Sequence, residues 1–285
     1  MKKLRARAPA KINLYLRVLD RRQDGYHELE TVFQAVDLSD ELVVEEISGP
    51  STLEVPGHPH LETNDNLVLR GLRWLEEQTG QKISVRMKLV KRIPEAAGLG
   101  GGSSNAAAAL RGVATLLDLG LQDHDLLRAA TALGADVPFF LRGGTAVGEG
   151  IGERLTSVQL LTDYGVLLVN PGFPVATAAV FREYSKSLTG KRIRGTLWTI
   201  LRELQRVEDL LHNDLQPIAE RLHPEISDVR TQMAGAGITK PLMSGSGPTV
   251  FGIGDPDWLA ALTERFRPKW STFVTKPLMT GVAID

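Results

Sequence analysis

Pro94–Leu110 reads PEAAGLGGGSSNAAAAL, and this stretch decides the fold. Gly98, Gly100, Gly101 and Gly102 are followed by two serines and an alanine run that suits only a helix. Glycine tolerates positive φ and lets backbone N–H groups come close to a ligand. A helix start adds unpaired N–H donors and the positive end of the macrodipole. The combination is a cradle for phosphate. Just upstream, Val85, Met87 and Leu89 alternate with Arg86 and Lys88, the pattern of a half-buried strand. The unit is strand, glycine loop, helix.

Other readings of this loop fare worse. A P-loop needs a Lys after its glycines, and none follows. Gly98, Gly100 and Ser103 only approach the dinucleotide pattern. Asp118 stands about twenty residues on, as that pattern asks, but late in the same expected helix rather than after a second strand. A turn that merely caps a helix needs one glycine, and four cost backbone entropy.

The remaining chain places this unit in an α+β protein of 285 residues, enough for two domains. The spacing predicts a strand over residues 4–19, interrupted at Pro9, and two more over Leu29–Leu38 and Glu41–Ile47. A helix capped near Asn64–Asn66 runs to Glu77 and stops at Gly80. Helices follow over about Ser104–Leu119 and from Asp123 to Gly134, then a glycine-rich hairpin over Gly143–Arg154. Tyr164–Val169 is an apolar strand, Val175–Ala234 is rich in helix, and Met243–Gly254 is a glycine turn entering a strand. A helix around Trp258–Phe266 and a strand around Thr272–Thr275 complete the pattern. The seam falls near Leu155–Thr162, dividing residues 1–158 from 159–285.

Net charge of −1 leaves no basic excess for a nucleic-acid backbone. With no cysteine, disulfides, zinc thiolates and thiol nucleophiles are excluded. The N-terminal segment lacks the apolar core of a signal peptide, and no apolar run reaches the ~18 residues of a membrane span. The expectation is a soluble cytoplasmic protein.

Several charged and aromatic residues stand out. Lys11 sits among apolar neighbours in APAKINLYL, either as a solvated edge lysine or as a buried one needing a partner. Asp136, between Leu133-Gly134-Ala135 and Val137-Pro138-Phe139-Phe140, is either a helix cap or a poised base. Tyr26 and His27 offer an aromatic face and a titratable ring beside a glycine turn, suited to a flat base or to ordinary packing. LMSGSGPTVFG, Leu242–Gly252, is a second glycine-serine turn, either an anion nest or a tight hairpin. His58 and His60, in VPGHPH, have metal-like spacing but no visible third ligand, and are read as ordinary loop residues. His124, His212 and His223 carry no signal.

Together, PEAAGLGGGSSNAAAAL, APAKINLYL and LMSGSGPTVFG resemble the three motifs of the GHMP kinases (galactokinase, homoserine kinase, mevalonate kinase, phosphomevalonate kinase), in order and over nearly the whole chain. DGYHELETVFQ, the triple glycine followed by SSN, and LGADVPFFL are most similar to the branch acting on 4-diphosphocytidyl-2-C-methyl-D-erythritol, in the non-mevalonate route to isoprenoids. The resemblance implies a ribosomal-protein-S5-like N-terminal domain, a ferredoxin-like C-terminal domain and an active site between them. It implies ATP-dependent transfer to the 2-hydroxyl, with Asp136 as base and Lys11 neutralising developing charge. Pro94, Glu95, Ala96, Ala97, Gly98, Leu99, Gly100, Gly101, Gly102, Ser103 and Ser104 would wrap the ATP phosphates, with Asn66 and Lys91 near the nucleotide and Ser104 near Mg2+. Tyr26 and Phe181 would sandwich the cytosine and His27 would read its edge, while Asn13, Phe33 and Thr177 complete the substrate pocket. Glu95-Ala96-Ala97 stand where the family often has further glycines, which implies a narrower loop with the same function. No carboxylate besides Asp136 stands out for magnesium, so phosphates, Ser104 and water would complete its shell. The rival functions are a GHMP kinase for another small alcohol, against which Tyr26-His27 speak, and a nucleotide-binding sensor, against which Lys11 and Asp136 speak.

Overall fold

The computed structural model describes residues 2–186 and 196–285. Its elements begin with β1 (Lys3–Arg21), β2 (His27–Glu46), β3 (Thr52–Glu54), α1 (Leu67–Thr79), β4 (Val85–Val90), α2 (Gly101–Leu117), α3 (Asp123–Leu133), α4 (Val137–Arg142), β5 (Thr145–Gly150) and β6 (Arg154–Val158). They continue with β7 (Gly165–Asn170), α5 (Thr177–Ser185), α6 (Thr196–Glu203), α7 (Val207–Leu210), β8 (His212–Asn213), α8 (Gln216–Leu222), α9 (Pro224–Gly235), β9 (Leu242–Met243), β10 (Val250–Gly254), α10 (Pro256–Phe266), β11 (Ser271–Thr275) and β12 (Ala283–Ile284). Part of the helix-rich region expected over Val175–Ala234 lies outside the described residues. Among the described residues, no helix is long and apolar enough to cross a membrane.

Two sheets carry the molecule. The first is built on the long β1–β2 hairpin. Its outer half extends through β4 to β3, and its inner half pairs with β5, which continues to β6. The second runs β11-β7-β10-β9, antiparallel throughout. Sheet membership changes between Val158 and Gly165, in the region of the expected seam. Two short segments then return to the first sheet. β8 pairs in parallel with β1 at Tyr15 and Leu16, and β12 pairs with β1 at Ala6 and Arg7.

β1 tolerates Pro9 because the register shifts between Pro9 and Ala10, where a missing N–H costs least. β2 is one strand, not the two expected. Pairing with β1 on one side, and with β5 and then β4 on the other, carries it through the polar Asp37–Asp40 break. The register sets Asn13 opposite Phe33, so Lys11, Asn13, Thr31 and Phe33 share one face.

Asn66 caps α1 with its Oδ1 accepting from the Val68 amide at 2.9 Å, and Gly80 ends it at φ +65. α2 starts at Gly101, three residues earlier than expected, because Gly100 takes the N-cap at φ +71. Asp118 lies just past the helix as its left-handed C-cap, not within it. Ala106–Ala109 are fully buried, and a Cβ on Gly112 would stand 3.4 Å from Leu4 and 3.7 Å from Val44. Small side chains therefore let α2 lie close against the β1–β2 hairpin. One apolar cluster fills the space between this sheet and α1–α4, a second lies where the two sheets meet, and a third lies between the second sheet and helices α5 and α8–α10.

One buried carboxylate holds the approach to the glycine loop. Asp40, on β2, is wholly buried. It pairs with the Lys91 ammonium and accepts from the amides of Arg92 at 2.7 Å and Ile93 at 2.9 Å and from Asn105 Nδ2 at 2.8 Å. Asn105 Oδ1 in turn accepts from Lys91 at 3.0 Å. Asp40→Ala strands the Lys91 charge, and we expect a loss of about 3–5 kcal/mol in urea unfolding. A loss below about 1 kcal/mol would show that the network is not holding the loop entry.

Candidate active site

A cleft of about 1060 Å³ opens over the Lys11 face of the hairpin. Of the eleven residues from Pro94 to Ser104, all but two line it. Leu99 and Ser104 turn inward. Leu99 is apolar and joins the core where the two sheets meet, while its carbonyl accepts from the Lys11 amide at 3.0 Å. Ser104 is wholly buried, and its Oγ has no hydrogen-bond partner. Ser103 is the serine that faces the cleft. The first-turn amides of Gly101, Gly102 and Ser103 have no carbonyl partner within their own helix.

The second glycine turn, between β9 and β10, packs directly on this loop. Ser244 Oγ donates to the Gly98 carbonyl at 2.9 Å and accepts from the Asn13 amide at 3.3 Å. Gly98 has φ +76, and a Cβ there would collide with the Ser244 carbonyl oxygen. A Cβ on Gly100 would lie 2.6 Å from the Phe140 ring. Ala96 takes φ +47, a region that favours glycine, so this variant of the loop carries local strain. Gly245 and Ser246 reach the cleft, and Ser246 Oγ lies 2.7 Å from Thr177 Oγ1 at the start of α5.

Lys11 is buried, not a solvated edge residue. Its ammonium donates to Asn13 Oδ1 at 2.6 Å, lies 5.5 Å from the Phe33 ring centroid and pairs with Asp136 at 3.6 Å. Asn13 Nδ2 passes the chain on to Thr31 Oγ1 at 2.8 Å. Burial pushes the Lys11 ammonium below its ordinary pKa, and the Asp136 charge opposes that push. Asp136 holds the N-cap position of α4, yet its carboxylate makes no capping hydrogen bond. It lines the cleft, a third exposed.

Tyr26 lies at the cleft lining, largely exposed. Beside it, His27 stacks on Phe181, with centroids 5.1 Å apart. Ser185 Oγ donates to the Phe181 carbonyl at 2.8 Å and lies 2.7 Å from His27 Nε2. With its one proton committed, the hydroxyl accepts from Nε2–H, which leaves His27 Nδ1 as an acceptor. Burial, helped by the charge of Arg21, holds the imidazole below its ordinary pKa of 6.5.

Asn66 and Lys91 line the cleft with their polar atoms already engaged. Asn66 caps α1 and donates to the Leu61 carbonyl at 2.8 Å, and Lys91 is held by Asp40 and Asn105. Sequence reasoning missed Asp40, Asn105, Ser185 and Ser244. Each acts through a partner between 51 and 158 positions away. Only Ser244 carried a signal, as part of the second glycine turn.

The family model of the GHMP kinases N terminal domain matches residues 66–144, and that of the GHMP kinases C terminal matches residues 199–270. The chain is 41% identical over 257 residues to the 4-diphosphocytidyl-2-C-methyl-D-erythritol kinase of Geobacter metallireducens, covering 89% of this chain and 90% of that one. It is 38% identical over 281 residues to the enzyme of that name from Syntrophus aciditrophicus, covering 96% and 99%. A crystal structure of 4-(cytidine 5'-diphospho)-2C-methyl-D-erythritol kinase superposes with a TM-score of 0.82 at 39% identity, over 96% of this chain and 98% of that one. Homoserine kinase from Cytophaga hutchinsonii shares the fold, with a TM-score of 0.76 at 16% identity over 100% of this chain and 98% of that one.

The packing of the two glycine turns is testable by stability. Gly98→Ala meets both the φ penalty and the Ser244 carbonyl, whereas Gly25→Ala, at φ +88 with nothing within 4 Å, meets only the first. We expect Gly98→Ala to cost at least about 1 kcal/mol more than Gly25→Ala in denaturant titration. Equal costs would show that the two turns are not in rigid contact.

Proposed function

The chain belongs to the GHMP kinases and, within them, to the 4-diphosphocytidyl-2-C-methyl-D-erythritol kinases, and from that membership we propose how its cleft divides the work of the reaction. The enzyme transfers the γ-phosphoryl group of ATP to the 2-hydroxyl of 4-diphosphocytidyl-2-C-methyl-D-erythritol. The transition state of such a transfer is loose, so positioning and charge neutralisation dominate.

The observation that carries this reading is the buried Lys11 set 3.6 Å from an Asp136 that caps nothing. Asp136 accepts the proton of the 2-hydroxyl as its oxygen bonds to the γ-phosphorus. The bond to the β–γ bridging oxygen breaks, and ADP leaves with that electron pair. Lys11 lowers the pKa of the alcohol and balances charge gathering on the phosphoryl oxygens. The amides at the start of α2, with the loop from Pro94 to Ser103, hold the phosphates. Magnesium fits the oxygens present. The Ser104 hydroxyl is unpartnered but wholly buried and does not line the cleft, so Ser103, which does, would stand nearer a magnesium ion carried by the phosphates. When bound, the ion would supply charge neutralisation during the transfer.

His27 and Phe181 supply the base pocket, with Tyr26 on the cleft side. Cytosine presents an amino donor where uracil presents a carbonyl. His27 Nδ1, kept free by Ser185, accepts from that donor. Asn13, Phe33 and Thr177 border the space between base and phosphate. We read residues 1–158 as the domain carrying the loop and the catalytic pair, and residues 159–285 as its C-terminal counterpart, in a cytoplasmic metabolic enzyme.

Phosphorus NMR of the product formed from ATP, Mg2+ and the cytidyl alcohol tests the reaction itself, and a new phosphomonoester resonance is expected. Asp136→Asn should bind ATP normally while kcat falls about 10²–10⁴-fold. Near-normal turnover would remove Asp136 from the base role. The base pocket predicts a pH dependence. Burial holds His27 below the ordinary imidazole value, so KM for the cytidyl substrate should be lowest at pH 8 and rise on acidification as Nδ1 gains a proton, with a midpoint below 6.5. A midpoint above the ordinary imidazole value of 6.5, or no rise at all on acidification, would exclude His27 as the acceptor.

A further inference from the structure

The two histidines that lacked a third ligand in the sequence acquire one in the fold. His58 Nδ1 lies 2.6 Å from Glu95 Oε1, and His60 Nε2 lies 2.8 Å from Glu95 Oε2. One donor atom from each of the three side chains falls within 4.8 Å of the other two. We propose that His58, His60 and Glu95 bind a divalent transition-metal ion of the zinc, cobalt or nickel class, which fastens the turn at Pro59 to the phosphate loop.

The donor set selects that class of ion. Two imidazoles and one carboxylate suit borderline metals, whereas magnesium and calcium want an all-oxygen shell. Metal–ligand bonds of about 2.0–2.2 Å place tetrahedral donors roughly 3.5 Å apart. The present separations, from 2.6 Å to within 4.8 Å, bracket that spacing. Three protein ligands leave a fourth position for water, and the site is open enough for an ion to enter.

The backbone beneath the histidines is fixed. The His58 amide donates to the Val55 carbonyl at 2.9 Å, and the Leu61 amide closes the turn on the His58 carbonyl at 2.9 Å. Pro59 between them begins a 3-10 turn over Pro59–Leu61. Both carboxylate oxygens of Glu95 already face the two rings. Glu95 also lines the cleft, second residue of the loop that wraps the phosphates. An ion here would tie that loop to the segment leading into α1. The site does not depend on the phosphoryl-transfer chemistry.

The test uses the whole protein, stripped with chelator and titrated with Co2+ while its visible absorption is followed. One ion per chain is expected, with ligand-field bands of a low-coordinate site. His58→Ala combined with His60→Ala, checked for folding by thermal melting, should lose the bands and at least about tenfold in affinity. Glu95→Gln should also weaken binding at least about tenfold, and millimolar Mg2+ should not displace the ion. Equal titration of the double variant and the parent, retained affinity in Glu95→Gln, or no stoichiometric binding up to about 1 mM would each overturn the proposal.

Discussion

The structure depends on two glycine turns touching backbone to backbone. Gly98 in one and Ser244 in the other stand so close that a single methyl group between them finds no room. The Ser244 hydroxyl bridges the contact, reaching the Gly98 carbonyl on one side and the Asn13 amide on the other. Further ties run from the loop to the second sheet, where the Val175 amide meets the Ala96 carbonyl at 3.3 Å and the Thr249 amide meets the Ala97 carbonyl at 3.4 Å. A phosphate cradle made of main-chain amides is only as rigid as the main chain under it. Here that rigidity comes from the C-terminal half of the sequence.

Charge is arranged around this contact with the same economy. Each of the two buried ammonium groups facing the cleft has an assigned carboxylate, Lys91 with Asp40 and Lys11 with Asp136. The partners differ in how far they are committed. Asp40 accepts from two backbone amides, an amide side chain and the lysine, which leaves it no capacity for chemistry. Asp136 is partly exposed and accepts no capping hydrogen bond from α4. A saturated carboxylate holds a loop, and an unsaturated one is free to take a proton.

The sequence made some of this legible for local reasons. The glycine loop, the Asn66 cap and the Gly80 stop are written within a few residues of the positions they govern. Lys11 and Asp136 each left two readings open when taken singly. What decides between them is distance across the fold, which no local pattern encodes. Asp40 falls between the two strands expected from the sequence and carries no local signal, because its partners at Lys91–Ile93 and Asn105 lie more than fifty positions away. The continuity of β2 was hidden for the same reason, since neighbours on both sides, not propensity, carry it through polar residues. His58 and His60 showed their spacing but not Glu95, which only loop geometry brings to them.

The hairpin at the centre of the first sheet borrows its flanks from distant parts of the chain. Its first strand takes one neighbour at His212–Asn213 and another at Ala283–Ile284, with Arg5 and Asp285 bonded to each other through their backbones. On the ribosome, the N-terminal hairpin therefore emerges long before its edges can be covered. Until residue 284 clears the exit tunnel it presents open strand edges, a state prone to pairing with other nascent chains.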